Sequence, residues 1–310
     1  MTNPTATSVT PHSAQKHNQR TNEPTLLSLP VRSQRSRELR QLFRHRLAMS
    51  GAVILLILVV TALLAPWLAP YPFDAQDLDH IRMAPSRQFL MGTDSLGRDL
   101  YSRVLHGARI ALWVGLLIVA IEVAVGVPLG MIAGYFRGRW DLAIMMVVDM
   151  VWAFPPLVLV LGVVAALGPS LFNAVLAIAL VSWVPFARVT RAKVLALRQQ
   201  EFVAASMAIG SSNAYILWCH ILPNILATNL VLITLTLPSA LLTAAALSFL
   251  GFGVQPPTPE WGSILNEGRP YLQDAPWIAA FPGLAILLTV VGFNLLGDGV
   301  RDAFDPKQKV

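Results

Sequence analysis

Charge and cysteine are both scarce in this sequence of 310 residues. Only 13% of the residues are Asp, Glu, Lys or Arg, against about a quarter in a soluble domain. A single cysteine, Cys219, leaves no intramolecular disulfide to form and no thiolate cluster to hold a metal. No G-x-x-x-x-G-K-[ST] run occurs, so the chain has no phosphate-cradling loop of that kind. The H-E-x-x-H pattern of zinc hydrolases is missing as well, and no grouping of His, Cys and Met outlines a bare metal site. The start of the chain lacks the charged region and small-residue cleavage site of a signal peptide, so a retained anchor is expected.

Apolar length is what the sequence has in excess. Hydrophobic residues make up 55% of it, and they gather into six runs, at about 47–68, 110–132, 142–167, 171–186, 225–252 and 277–296. Most approach the roughly 20 residues that cross a hydrocarbon core as a helix, and only helices or closed barrels satisfy their own backbone there. The expected fold class is an all-α polytopic membrane protein with six transmembrane helices in a lipid bilayer. Three regions follow: a disordered basic tail over 1–46, a six-helix domain over 47–300 and a short end over 301–310. The tail is rich in Thr, Ser, Asn, Gln and Pro and then in arginine from Arg32 to Arg46.

Basic residues orient the spans. The arginine run before the first span, the turn 135–141 (YFRGRWD), and Arg188, Arg191, Lys193 and Arg198 after the fourth span all belong on the cytoplasmic side. Six spans then place both termini in the cytoplasm. The formal charge of +6 raises nucleic acid as a partner, but the positive-inside rule already accounts for much of the excess, and no nucleic acid is expected. The polar stretch 74–106 and the loop 253–275 fall outside, the latter with Glu260, Glu267 and Asp274 against Arg269 and with Trp261 at the interface. Asp94 or Ser95 is the expected cap of the helix entering the second span.

Four features inside the spans stand out. Gly126, Gly130 and Gly134 recur every fourth residue and allow a neighbouring helix to come close. Pro155-Pro156 should bend the third span and Pro238 should break the fifth. Glu122 and Asp149 are ionisable groups at membrane depth, which makes each a candidate for lining a pathway. Glu122 fits a watery cavity and a protonated, purely structural carboxyl equally well. For Asp149, amides freed by the nearby prolines offer stabilisation, and simple kinking is the plainer alternative.

The island 201–223, EFVAASMAIGSSNAYILWCHILP, reads as two short cytoplasmic helices. Gly210 ends the first because glycine takes the left-handed conformation cheaply, and Ser211, Ser212 or Asn213 caps the second through Trp218. Pro223 then marks a turn into the next span. Any multi-span protein needs loops of this sort, so composition alone assigns it no role. Its spacing, however, resembles the EAA loop of ABC-transporter permeases: Glu-Ala-Ala, three residues, Gly, nine residues, Ile-x-Leu-Pro. Ala204, Ala205 and Ser206 fall on the first triplet, Gly210 on the Gly, and Leu222-Pro223 on the closing pair. Ala204, Ser206 and His220 depart from the pattern. The stretches 92–112 (GTDSLGRDLYSRVLHGARIAL), 247–262 (LSFLGFGVQPPTPEWG) and 293–306 (FNLLGDGVRDAFDP) resemble the dipeptide, oligopeptide and nickel branch, in its second-permease type. Ala244 stands where that branch often has Glu.

This resemblance implies the type I ABC importer permease (MetI-like) fold and a division of labour. A homologous permease subunit would share the pathway. Two cytoplasmic ABC ATPase subunits would bind ATP and Mg, leaving this chain non-catalytic and without a cofactor, and an extracytoplasmic solute-binding protein would deliver a di- or oligopeptide. The loop 188–223 would couple to the ATPases through Ala204, Ala205, Ser206, Gly210, Leu222 and Pro223. Two other classes compete: an ion-coupled secondary transporter using Glu122 and Asp149, and a membrane hydrolase, for which His106 and His220 fall on opposite sides of the membrane.

Overall fold

The computed structural model describes residues 45–304; the tail over 1–44 and residues 305–310 lie outside the described residues, together with the disorder expected of the tail. The described chain is almost wholly helical. Helix α1 spans Arg46–Leu68, α2 Leu100–Phe136, α3 Gly138–Trp152, α4 Pro156–Leu167, α5 Leu171–Ser182 and α6 Val184–Leu197. Then follow α7 (Glu201–Ala208), α8 (Asn213–Tyr215) with a π-helical turn over Ile216–Ile221, α9 (Leu222–Phe249), α10 (Trp261–Gly268) and α11 (Trp277–Phe304). Five helical stretches are long and apolar enough to cross a bilayer; α3 and α4, bent by 88°, are together apolar enough to count as a sixth if the pair is one span. The bend falls at Pro155-Pro156, where two missing amide donors and the ring of Pro156 break the ladder.

The glycine ladder of α2 decides the centre of the bundle. A Cβ at Gly126 would stand 2.6 Å from the Trp183 carbonyl oxygen, at Gly130 2.5 Å from that of Ala187, and at Gly134 2.8 Å from that of Arg191. Glycines four apart on α2 therefore meet backbone at four-residue steps on and just before α6, which leaves no room for a side chain. A second close crossing joins α1 to α11, where a Cβ on Gly51 would meet the Gly292 carbonyl oxygen at 2.7 Å. Side chains exposed on the outer surface, such as Leu56, Leu63 and Leu287, suit lipid or a partner helix.

Several expectations need correction. The fifth span is not broken at Pro238: α9 runs through it without interruption. The proline deprives the Thr234 carbonyl of its donor, and Gly297 of α11 lies against that carbonyl, so a small neighbour accommodates the local distortion. Pro223 marks no turn either. It sits in the first turn of α9, and the widened π turn before it carries the chain from Asn213 to Phe249 as one span. The Asn224 side-chain amide donates to the His220 carbonyl there at 2.6 Å. Asp99, rather than Asp94 or Ser95, caps α2 by accepting from the Ser102 amide at 2.8 Å. Trp261 is buried rather than interfacial: its indole N–H donates to the Val104 carbonyl at 2.9 Å. The last helix continues past residue 300 to Phe304.

Candidate functional site

At about 1.5 Å per residue the 37 residues of α2 span about 55 Å, so its two ends mark opposite ends of the bundle. The end of α2 at Tyr135 carries the helix pair around Gly210. Helix α7 closes with both hydrogen bonds of a Schellman motif: Ser211 N–H to the Ser206 carbonyl at 3.1 Å and Gly210 N–H to that of Met207 at 3.0 Å. Gly210 supplies the required left-handed residue, with φ of 81° and open space where a Cβ would be. Ser212 caps the following helix, accepting from the Tyr215 amide at 3.3 Å. The expected two-helix reading of the island is thus the observed local structure, with the second helix widened into a π turn.

This pair is fixed to the bundle on one side and bare on the other. Val203, Ile216 and Ile221 are fully buried, and the Tyr135 hydroxyl donates to Asn213 Oδ1 at 2.8 Å. Ala204, Ala205, Met207, Ala208 and Gly210 are exposed, and Ile209 is 83% exposed. Ser206 instead turns inward, its buried Oγ without a hydrogen-bond partner among the described residues. Leu222 is half-buried and Pro223 exposed, one turn beyond the pair. His220 packs its ring against Tyr215 and Phe202, at centroid separations of 5.4 Å and 6.1 Å. An imidazole thus joins the two helices at the position where the sequence pattern usually has Ile.

Glu122 and Asp149 lie in different surroundings. Glu122 is 2% exposed and lines a cavity of about 210 Å³ between α2, the α3–α4 bend, α5, α6 and α9. Its Oε2 has no hydrogen-bond partner among the described residues. Asp149 is exposed and accepts from Arg188 at 2.7 Å, so its partner is a guanidinium and not an amide freed by the prolines. The Arg188 guanidinium also stands 5.1 Å from the ring centre of Trp152. The structure does not bring the two carboxylates together in one cavity.

The opposite end holds a buried charge cluster that sequence reasoning missed. Asp94 is fully buried and accepts from Arg98 Nε at 2.7 Å and from Arg103. Glu267 of α10 accepts from Arg98 Nη2 at 2.6 Å and from Arg103 Nη1 at 2.7 Å and Nη2 at 3.1 Å. Two carboxylates and two guanidinium groups cancel, as nearly dry ions must. The charge balance of residues 74–106 was legible, but Glu267 lies 164 residues from Arg103 and carries no local signal. Trp277 completes the junction, donating from its indole N–H to the Thr93 carbonyl at 3.2 Å. Glu260 sits nearby, capping α10 through the Ser263 amide at 3.1 Å. Burial pushes its carboxyl up, against the lowering effect of bonds from Gly262, Ser248 and Ser263.

Comparison with known proteins agrees with this architecture. Residues 126–310 match the family described as binding-protein-dependent transport system inner membrane component, and residues 33–85 match the N-terminal TM domain of oligopeptide transport permease C. The chain is 47% identical over 273 residues to the glutathione transport system permease protein GsiD of Escherichia coli O6:K15:H31, covering 87% of this chain and 89% of that one. Its identity to GsiD of Shigella dysenteriae serotype 1 is 46% over the same span. Among solved structures, a chain of the MetNI methionine ABC transporter in an inward-facing conformation superposes with a TM-score of 0.54 at 18% identity, covering 66% of this chain and 98% of that one. That likeness shows the MetI-like fold.

Proposed function

Because the chain belongs to the family of binding-protein-dependent transport system inner membrane components, we propose that it is the permease subunit of an ATP-driven importer of small peptides. It spans the inner membrane several times, with both termini on the cytoplasmic side. A homologous permease completes the pathway, two ATPases bind ATP and Mg, and an external binding protein delivers the cargo. This chain itself carries out no catalysis and holds no cofactor. The observation that carries the reading is the helix pair around Gly210. One side is packed into the bundle through Val203, Ile216 and Tyr135, and the other presents Ala205, Met207 and Ile209 bare to a partner. A surface held that firmly moves with α2 and α9 when a docked ATPase moves it. Nucleotide then shifts access by favouring one arrangement of the docked helices over the other.

The relatives named for glutathione transport favour a peptide over a nickel complex as cargo. Tagged chain purified from its host in mild detergent is expected to retain a second permease and two ATPases, identified by mass spectrometry. Reconstituted with the binding protein, that assembly should take up glutathione or dialanine only when ATP is hydrolysed. Uptake by the isolated chain on an ion gradient would instead support the secondary-transporter reading.

A further inference from the structure

The Glu122 cavity has a one-sided chemistry. Thr236, Ser239 and Thr243 stand at i, i+3 and i+7 on α9 and line the cavity together, opposite Glu122 of α2 and beside Ser182 of α5. Two of these hydroxyl protons are already committed. Thr236 donates to the Leu232 carbonyl at 3.0 Å, and Thr243 donates to that of Ser239 at 2.8 Å. What these two threonines leave for the cavity is oxygen lone pairs.

Prolines add to the same imbalance. Pro156 and Pro185 both line the cavity, and neither has an amide to give the carbonyl four residues back, on Trp152 and Val181, which line it too. The walls include no Lys, Arg or His among the described residues. The guanidinium of Arg188, which stands over the wall residue Trp152, is engaged by Asp149. A carboxylate at membrane depth without a cation is costly, and either a bound proton or a cationic partner relieves that cost. A carboxylate facing a row of hydroxyl oxygens in an otherwise apolar wall, with no donor cation, describes a site for a group that donates.

We propose that this cavity is a subsite for a primary ammonium group, the amino end of a peptide in transit, held by the Glu122 carboxylate with the oxygens of Thr236, Ser239 and Thr243. An alkyl ammonium carries three donors and no acceptor, which matches this wall. A carboxylate or phosphate would face the Glu122 carboxylate with only the Ser182 and Ser239 hydroxyls and the Trp152 indole to donate, and no cation. The volume of about 210 Å³ takes the amino end of a small peptide and not the whole molecule. The assignment of the ammonium to a cargo rests on the importer reading; the chemistry of the cavity does not.

The test separates the two. In the purified assembly, Cys219, which is exposed, is replaced by Ser and Ser239 by Cys. The rate of modification by 2-aminoethyl methanethiosulfonate is compared with that by its sulfonatoethyl counterpart. With Glu122 present, the ammonium reagent should be favoured at least 10-fold beyond the ratio seen with 2-mercaptoethanol. Glu122→Gln should return the ratio to that of the simple thiol, and Glu122→Asp should keep most of the preference. In an assembly that keeps Ser239, Glu122→Gln should slow glutathione uptake at least 10-fold, with the subunits still co-purifying. A ratio indifferent to Glu122 would overturn the ammonium site, even if uptake fell. If the Ser239→Cys assembly with Glu122 intact preferred the ammonium reagent while the wild-type assembly transported no peptide, the subsite would stand and the importer reading would be refuted instead.

Discussion

Removing a matched pair from the Asp94, Arg98, Arg103 and Glu267 cluster should cost less than the two single removals added together. Arg103 is 1% exposed and its guanidinium serves both carboxylates. In Arg103→Met, Asp94 keeps Arg98 Nε at 2.7 Å and the amides of Leu96 and Arg98 at 2.8 Å and 3.0 Å. Its charge stays compensated, while Glu267 keeps only Arg98. Breaking a buried pair costs about 3–5 kcal/mol, and the remaining partners place this variant near the lower end, about 3 kcal/mol. Asp94→Asn leaves two buried guanidinium groups to share one partly exposed Glu267, and belongs at the upper end, about 5 kcal/mol. The double variant Arg103→Met with Glu267→Gln removes both ends of the same two bonds and leaves the Asp94–Arg98 pair neutral. Its loss should fall short of the sum of the single losses by about 1–3 kcal/mol. Unfolding of the purified chain by SDS titration in mixed micelles measures all four corners of the cycle. The differences should change little with salt, because Arg103 is buried and Glu267 only partly exposed. Additivity within about 0.5 kcal/mol would show that the two groups do not act on one another, and the reasoning would fail.

Three further perturbations address other parts of the chain. Gly210 meets no atom where a Cβ would stand, so Gly210→Ala should cost only the left-handed conformation, about 1–2 kcal/mol; Gly210→Asn should cost less, and retention of ATPases on the tagged chain should fall in the order Gly, Asn, Ala. Equal retention by all three would remove the turn from the coupling argument. Gly130→Leu should abolish accumulation of folded chain, since the Ala187 carbonyl oxygen is 2.5 Å from the first added atom, whereas Gly162→Leu, in open space, should accumulate normally; membrane-fraction immunoblotting distinguishes them. Glu260 is held protonated more readily in the fold than in the unfolded chain, so the stability it contributes is complete below the unfolded value, about 4.3, and is lost as pH rises through the raised folded value. Melting temperature should therefore decline across that interval, and Glu260→Gln should flatten the decline; an unchanged slope would contradict the burial argument.

Hydropathy and local backbone chemistry determined much of this protein from the sequence by itself. Runs of apolar residues marked the helices that can cross a bilayer, five outright and a sixth if the bent pair is one span, because a helix satisfies its own backbone there. The spacing of Gly126, Gly130 and Gly134 announced a close helix contact, and Gly210 announced the end of α7, since each depends on the absence of a Cβ. Other outcomes depended on neighbours remote in the chain. Pro238 reads as a break, yet Gly297 faces the carbonyl it frees and the helix continues. Trp261 reads as interfacial, yet the Val104 carbonyl gives its N–H a buried partner. Glu122 and Asp149 look alike in sequence, and only the fold separates a buried carboxyl facing hydroxyls across a cavity from an exposed one paired with arginine. Periodicity reports which residues share a face of one helix. Which charge, carbonyl or hydroxyl stands opposite that face is decided by packing between helices, and so by the tertiary structure alone.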